Sequence, residues 1–449
     1  MKDLTVGKEG KLIFYFAMPM LIGNVFQILN TVIDRIIVGN YIGKSAVAAV
    51  GVSFPVIFAM ISLLIGITSG ITIIISQYFG ARDFDKVKRA VDTAYIFLFF
   101  ASIVIGITAI IFCEPIFRLL DVPENVLPDA VKYVRILFTG IIFMAGFTGT
   151  MAILRGLGDS KTPLYFMIIS ILLSIILEII FIVYAGMGIE GAAYAGVISQ
   201  AAAFLIATFY LNKKHEFIRI SFIRIFFDRY IFLKSLNIGL PSGIQQFSVA
   251  VGQMFLIKLV DSYGTDTVAA YTIAGGIDSF AILPAMNFSM ALMAFTGQNI
   301  GAGKYERVRK GLFSTQWMTG LISVSVSILV LVFAIPLMSA FTGDAEVIRI
   351  GKEYLMIIGG FYILFSVLFV NTGVFRGAGD TLAPMIITLF TLWVVRIPLA
   401  YYLSEVMGVH GIWWSLPIAW MIGVGITISY YLSGKWKKKV LIKPVTHIE

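Results

Sequence analysis

Arg155-Gly156-Leu157-Gly158-Asp159-Ser160-Lys161-Thr162-Pro163 returns later in the chain as Arg376-Gly377-Ala378-Gly379-Asp380-Thr381-Leu382-Ala383-Pro384, an offset of 221 residues (376 − 155). Gln77-Tyr78-Phe79-Gly80-Ala81 against Gln298-Asn299-Ile300-Gly301-Ala302 keeps that offset (298 − 77), and so does Val47-Ala48-Ala49 against Val268-Ala269-Ala270. One unit is written twice. In an apolar chain, a duplicated half points to a transporter built from two bundles around a central site.

Hydrophobic residues make up 59% of the 449 and charged ones 13%, with a mean hydropathy of +0.93. A soluble protein carries nearly twice that charge, so the chain reads as an all-α polytopic membrane protein. A membrane helix needs about 20 mostly apolar residues. Twelve segments qualify: 12–38, 51–76, 91–113, 131–154, 163–185, 191–212, 238–260, 272–297, 313–338, 353–375, 384–404 and 411–432. Cys113 is the only cysteine, which excludes an intramolecular disulfide, and His215, His410 and His447 have no metal-ligand spacing. The first apolar stretch is a full span rather than a removed signal.

Of the 34 basic residues, 25 fall on one set of span ends, six on the other and three (Arg35, Lys258, Arg396) inside spans. By the positive-inside rule both termini are cytoplasmic, and the expected location is the cytoplasmic (inner) membrane. The net charge of +9 then reflects topology and not a nucleic-acid partner. Six spans per half make the halves parallel repeats about an axis along the membrane normal. The expected organisation is an N-terminal lobe 1–212, a cytoplasmic linker 213–237, a C-terminal lobe 238–434 and a basic tail 435–449. The linker interleaves basic residues with Phe217, Phe222, Phe226, Phe227 and Tyr230, which reads as a segment lying on anionic lipid.

An ionisable group at membrane depth costs at least a few kcal/mol and is a functional candidate by default. The first half holds Asp34, beside Arg35, and Glu178. Asp34 is placed about four residues, ~6 Å, from the outer end of span 1, and Glu178 about seven, ~10 Å, from the outer end of span 5. Asn30 and Ser174 precede them at i, i+4 spacing and share their faces. Two carboxylates with an amide and a hydroxyl oxygen can hold a proton or a small hard cation, and Na+ at Asp34 and Glu178 is the metal option. Adjacent helical residues point about 100° apart, so Arg35 is a poor partner for Asp34. The second half holds Lys258, Asp278 and Arg396. There the expectation is structural: Asp278 paired with Lys258 or Arg396, tying three helices together.

Pro19 and Pro241 lie early in the corresponding spans 1 and 7, and proline lets a helix bend. Met286, Met290 and Met293 form a stripe suited to varied apolar ligands, though such a stripe is more often packing. The two Arg-Gly-x-Gly-Asp turns lack the Lys-Ser/Thr of a phosphate loop and are expected to cap and clamp helix ends.

The pattern Pro19, Gln27, Asn30, Asp34, Gly39, the paired turns, and Gly297-Gln298-Asn299-Ile300-Gly301-Ala302-Gly303 resemble the multidrug and toxic compound extrusion (MATE) exporters. Gly239-Leu240-Pro241-Ser242-Gly243-Ile244-Gln245-Gln246 resembles their DinF-type bacterial branch. The resemblance covers the whole chain. It implies two six-helix lobes forming a V with a central cavity, and export of amphipathic, often cationic, small molecules driven by H+ or Na+ entry, with no cofactor. Asp34 matches the acid of span 1 that takes up the coupling ion, with bending at Pro19. Gln27, Gln245, Gln246 and the three methionines are candidates for the substrate cavity. The family's Asn-x-x-x-Asp-Pro of span 5 is Ser174, Glu178 and Ile179 here, and Gly196 stands where span 6 often has Thr. These departures weaken a Na+ cage and favour H+. Another branch carries acids in the middle of spans 7 and 10, which this chain lacks. The alternative is a flippase for a lipid-linked precursor, disfavoured by the few basic residues inside spans. An enzyme would need a metal cluster or a nucleophile–base pair at depth, and no histidine is mid-span. No obligate protein partner is evident beyond the bilayer itself.

Overall fold

The computed structural model describes residues 2–214 and 226–441, and among them the chain is helical with short turns and no strand. The first half comprises α1 (Glu9–Tyr41), α2 (Lys44–Gly80), α3 (Phe84–Leu119), α4 (Leu127–Thr139), α5 (Ile141–Gly156), α6 (Lys161–Glu178, prolonged by a π-helical turn, Ile179–Tyr184) and α7 (Gly188–Lys214). The second comprises α8 (Arg229–Asp261), α9 (Thr265–Gly301), α10 (Tyr305–Ser339), α11 (Ala345–Gly359), α12 (Tyr362–Gly377), α13 (Leu382–Leu389), a π-helical segment (Phe390–Arg396), α14 (Ile397–Met407) and α15 (Val409–Leu432). Among the described residues ten helices are long and apolar enough to cross a membrane, and up to twelve spans result when each of two bent pairs counts as one.

Those pairs are two of the expected spans, each broken by a bend. Segment 131–154 is α4 and α5 meeting at 55°, and 353–375 is α11 and α12 meeting at 51°. Gly140 sits at the first break, where a Cβ would run into Val197, and Gly359-Gly360 at the second. Glycine breaks of this kind are an ordinary cause of kinks.

The repeat is visible in the backbone. Both ends of α2 and α9 differ by 221 residues (265 − 44, 301 − 80). Gly43 and Gly264 precede them at φ 116° and 96°, and Gly158 and Gly379 sit at φ 80° and 95°. The duplicated turn divides its labour by residue. A Cβ on Gly156 would approach the Thr72 carbonyl to 3.0 Å, and one on Gly377 the Met293 carbonyl to 2.5 Å, so the first glycine admits a neighbouring helix. The second glycine supplies the positive φ. The aspartate caps the following helix: Asp159 accepts from the Lys161 and Thr162 amides at 3.1 and 3.0 Å, and Asp380 from the Ala383 amide at 3.2 Å. Capping is the role expected of these turns.

The chain divides into two compact units, but not at the expected 213–237 boundary. One holds Met1–Asp3 and Met18–Gln246, the other Leu4–Ala17 and Phe247–Glu449. The reason lies in how α1 and α8 begin. In the second unit, the Leu4 amide donates to Gln298 at 2.9 Å, Arg307 pairs with Glu9 at 3.1 Å, and Phe14 packs on Phe288. In the first unit, α8 lies backbone-close on α2: a Cβ on Gly66 would meet the Gly239 carbonyl at 2.5 Å and the Gly243 Cα at 2.6 Å. Residues 229–237 are thus helix rather than linker, with Asp228 capping α8 through the Tyr230 and Ile231 amides at 3.0 and 3.1 Å. Phe217 and Phe222 lie outside the described residues. The tail begins folded, with Trp436 buried on Tyr431, and its last part, 442–449, also lies outside them.

The Gly66 crossing yields a test. Gly66→Val sets a side chain against backbone that cannot step aside, and overpacking of this kind costs about 1–3 kcal/mol. The expected outcome is a clear drop in melting temperature and yield, read by fluorescence-detected gel filtration after heating. Gly275→Ala, where a Cβ meets nothing within 4 Å, should leave both intact. Equal tolerance of the two would contradict the close crossing.

Candidate functional site

Two helices of the first unit place the acidic pair. The Met167 methyl of α6 lies where a Cβ on Gly23 of α1 would be, so glycine is what lets this side chain lie against α1. Two turns further along α1 is Asn30 (30 − 23 = 7), and two turns further along α6 is Ser174 (174 − 167 = 7). One more turn reaches Asp34 and Glu178, each eleven residues past the contact (34 − 23, 178 − 167). The same stagger on both helices brings like depths together. Asp34 lies seven residues before the end of α1 (41 − 34), deeper than the four expected, and Glu178 six before the end of its π-turn (184 − 178).

This stagger leaves Asp34 and Glu178 within electrostatic range of each other, and Tyr133 of α4 within electrostatic range of both. Ser174 Oγ donates to Glu178 Oε1 at 3.1 Å. Glu178 is buried, and its Oε2, like Asn30 Oδ1, is an enclosed oxygen without a hydrogen-bond partner. Arg35 is exposed and forms no ion pair with Asp34 among the described residues. Glu178 is also the last α-helical residue before the π-turn, an irregularity often found at functional positions. The two enclosed oxygens without donors thus belong to Asn30, one turn before Asp34, and to Glu178 itself. Among the described residues no group of three His, Cys, Asp or Glu is arranged for a metal ion.

The second unit departs from expectation. Asp278 of α9 is buried, but no ion pair joins it to Lys258 or Arg396 among the described residues. Tyr354 of α11 donates to its Oδ2 at 2.6 Å, and Tyr362 of α12 to its Oδ1. Lys258 is exposed on α8. Arg396 is within electrostatic range of Asp278, yet its Nε has no partner. Tyrosine hydroxyls satisfy the acid because the bend between α11 and α12 aims two rings at one carboxylate. Tyr354 packs edge to face on Tyr271 and Trp413, at 5.7 and 4.9 Å, and those two rings stack on each other at 5.5 Å.

The candidate cavity residues divide. Gln27, Met286 and Met290 are exposed and Gln246 is partly so, whereas Gln245 and Met293 are buried. Met293 fails as a lining residue because α9 is sunk in its bundle from Ala291 to Gly301, although helical periodicity alone puts it on the face of Met286. Sequence reasoning missed the tyrosines. Tyr133 and Tyr354 are separated by 221 residues (354 − 133), so the repeat itself was the available signal.

The MatE family model matches residues 19–180 and again 241–402, once in each repeat. The chain belongs to the MATE family. It is 33% identical over 437 residues to a probable multidrug resistance protein, YoeA, of Bacillus subtilis, covering 95% of this chain and 94% of that one. It is 28% identical to a probable multidrug resistance protein, NorM, of Thermotoga maritima, over 95% and 93% of the two chains. Among solved structures, an outward-facing MATE transporter superposes with a TM-score of 0.91 at 25% identity, over 98% of this chain and 99% of that one. This MATE protein is therefore a multi-pass membrane transporter of the multidrug efflux kind, with twelve spans in two repeats.

Proposed function

We propose that this transporter exports amphipathic, often cationic, small molecules in exchange for a cation taken up between α1 and α6, with H+ preferred to Na+. The observation that carries the reading is the convergence of Asp34 and Glu178 with the unpartnered oxygens of Asn30 and Glu178. Two like charges held together away from bulk water are relieved by one positive charge, which a proton supplies without a full coordination shell. The replacement of the family's span-5 Asn and Asp by Ser174 and Glu178, and of its span-6 Thr by Gly196, supports the same preference.

Coupling requires that ion and substrate occupancy be mutually costly. Asp34 takes the ion from outside, Glu178 shares it, and Ser174 and Asn30 complete the shell. Neutralising the pair removes the buried negative charge that restrains α1, and Pro19, which deletes one link of the α1 hydrogen-bond ladder, is where the released helix bends. Substrate then leaves outward, and the ion departs into the cytoplasm in the next half-cycle. Gln27, Met286 and Met290, which are exposed, and the half-buried Gln246 are the side chains proposed to meet the substrate.

The proposed orientation, with both termini in the cytoplasm, rests on the basic residues. It is checked in a Cys113→Ser background. A cysteine at Lys437 should react with a membrane-impermeant maleimide only after the membrane is opened, and one at Asp121 in intact cells. Reversed labelling would overturn the direction of transport along with the topology.

A further inference from the structure

An apolar furrow of about 610 Å³ opens in the first unit between α2, α3 and the start of α8, and only hydrocarbon side chains line it, among them Ile67, Phe100, Val104, Phe232, Leu236 and Leu240. Phe97 and Phe232 meet edge to face at 5.0 Å across its floor. Phe100 and Val104 are exposed, so the furrow opens sideways to whatever surrounds the spans.

One end is cationic. Along α8, Arg229, Phe232, Leu236 and Leu240 fall at i, i+3, i+7 and i+11, a single face. Along α3, Arg89, Ile96 and Phe100 fall at i, i+7 and i+11, again a single face. Both helices start at the end that carries most of the basic residues, so both arginines stand at the same mouth. Arg89 lies 5.1 Å over the Phe226 ring and 3.9 Å from Asp228, a long contact for a side chain that is 53% exposed. The other oxygen of Asp228 caps α8. Arg229 is exposed, and its side chain makes no hydrogen bond or ion pair among the described residues. From Arg229 to Leu240 is about 16 Å along the helix, close to the thickness of one hydrocarbon leaflet.

We propose that this furrow binds an anionic phospholipid of the cytoplasmic leaflet, one acyl chain lying against α3 and α8 and the phosphate held by Arg89 and Arg229. Guanidinium groups engage phosphate through paired N–H donors. Basic mouths between spans on the cytoplasmic side are the setting in which anionic headgroups are retained. The sequence signal was the run of arginines and aromatics after α7. The site differs from the linker surface first expected, because its contacts come from α3 and from the first turns of α8.

The full-length protein, carrying p-benzoylphenylalanine in place of Ala101 in the furrow wall, is reconstituted in equal parts phosphatidylglycerol and phosphatidylcholine. It is then irradiated and its adducts weighed. The expected result is a phosphatidylglycerol adduct in clear excess. Arg89→Gln with Arg229→Gln should lower it by about twenty-five-fold, taking about five-fold per arginine. The melting temperature of the double variant is measured alongside, and the comparison is made at a temperature where it is folded. Equal labelling of the two lipids, or labelling untouched by the double variant, would overturn the proposal. So would adducts with peptide 215–225 of the chain or with a second copy, which would give the furrow a protein occupant.

Discussion

Asp34→Asn should abolish gradient-driven export of a cationic dye such as ethidium from inverted vesicles, while the purified variant still binds the dye and elutes as a folded protein. The amide is isosteric, so the packing of α1 on Met167 survives, but the site loses the charge that the entering cation neutralises. Coupling is a free energy shared by two ligands, and removing one ligand's site removes it entirely. Export should fall to the passive leak. Glu178→Gln should be milder, because Ser174 still donates to its remaining oxygen and Asp34 still binds the ion; a ten-fold loss corresponds to about 1.4 kcal/mol. Wild-type export by Asp34→Asn would remove the mechanism, and a fully active Glu178→Gln would reduce the site to Asp34 alone.

The second large effect is on stability. Tyr354→Phe removes a donor from the buried Asp278, and a hydrogen bond to a charged group is worth about 1.5–3 kcal/mol. Tyr354→Phe with Tyr362→Phe should strand the acid and collapse the yield of folded protein, because an uncompensated buried charge costs about 3–5 kcal/mol. Lys258→Gln should stay within about 0.5 kcal/mol of wild type, as surface changes do. Thermal unfolding followed by thiol accessibility of Cys113, which is buried in the fold, ranks the variants. If Lys258→Gln proved as damaging as Tyr354→Phe, the ion pair first expected from the sequence would be restored.

These two sites mark what the sequence could and could not reveal. The duplication was readable because glycine positions tolerate no substitute where the backbone turns or a helix crosses, and so Gly156 with Gly158 and Gly377 with Gly379 stayed in register. The spans were readable because hydrocarbon demands long apolar runs. The acids of the first half stood out for the same reason, and equal spacing from Gly23 and Met167 explains why two helices deliver them together. The partner of Asp278 was not readable. Charge counting favours a lysine, whereas tyrosine hydroxyls supply the donors once α11 and α12 bend. The exchange of helix starts between the two units was equally hidden, since α1 and α8 are continuous apolar helices whose neighbours change part-way along. Burial of Met293 and Gln245 depends on which face a long helix turns to its bundle, and a periodicity argument gives the face but not the neighbour.

The central claim is that cation entry through the Asp34–Glu178 pair drives export. Reconstituted vesicles in which ΔpH and ΔNa+ are imposed separately test it most directly. The account predicts ethidium movement on ΔpH at zero Na+ gradient, absent in Asp34→Asn. Movement on ΔNa+ alone at clamped pH would refute the proton and keep the site, and movement that persists in Asp34→Asn under either gradient would contradict the claim itself.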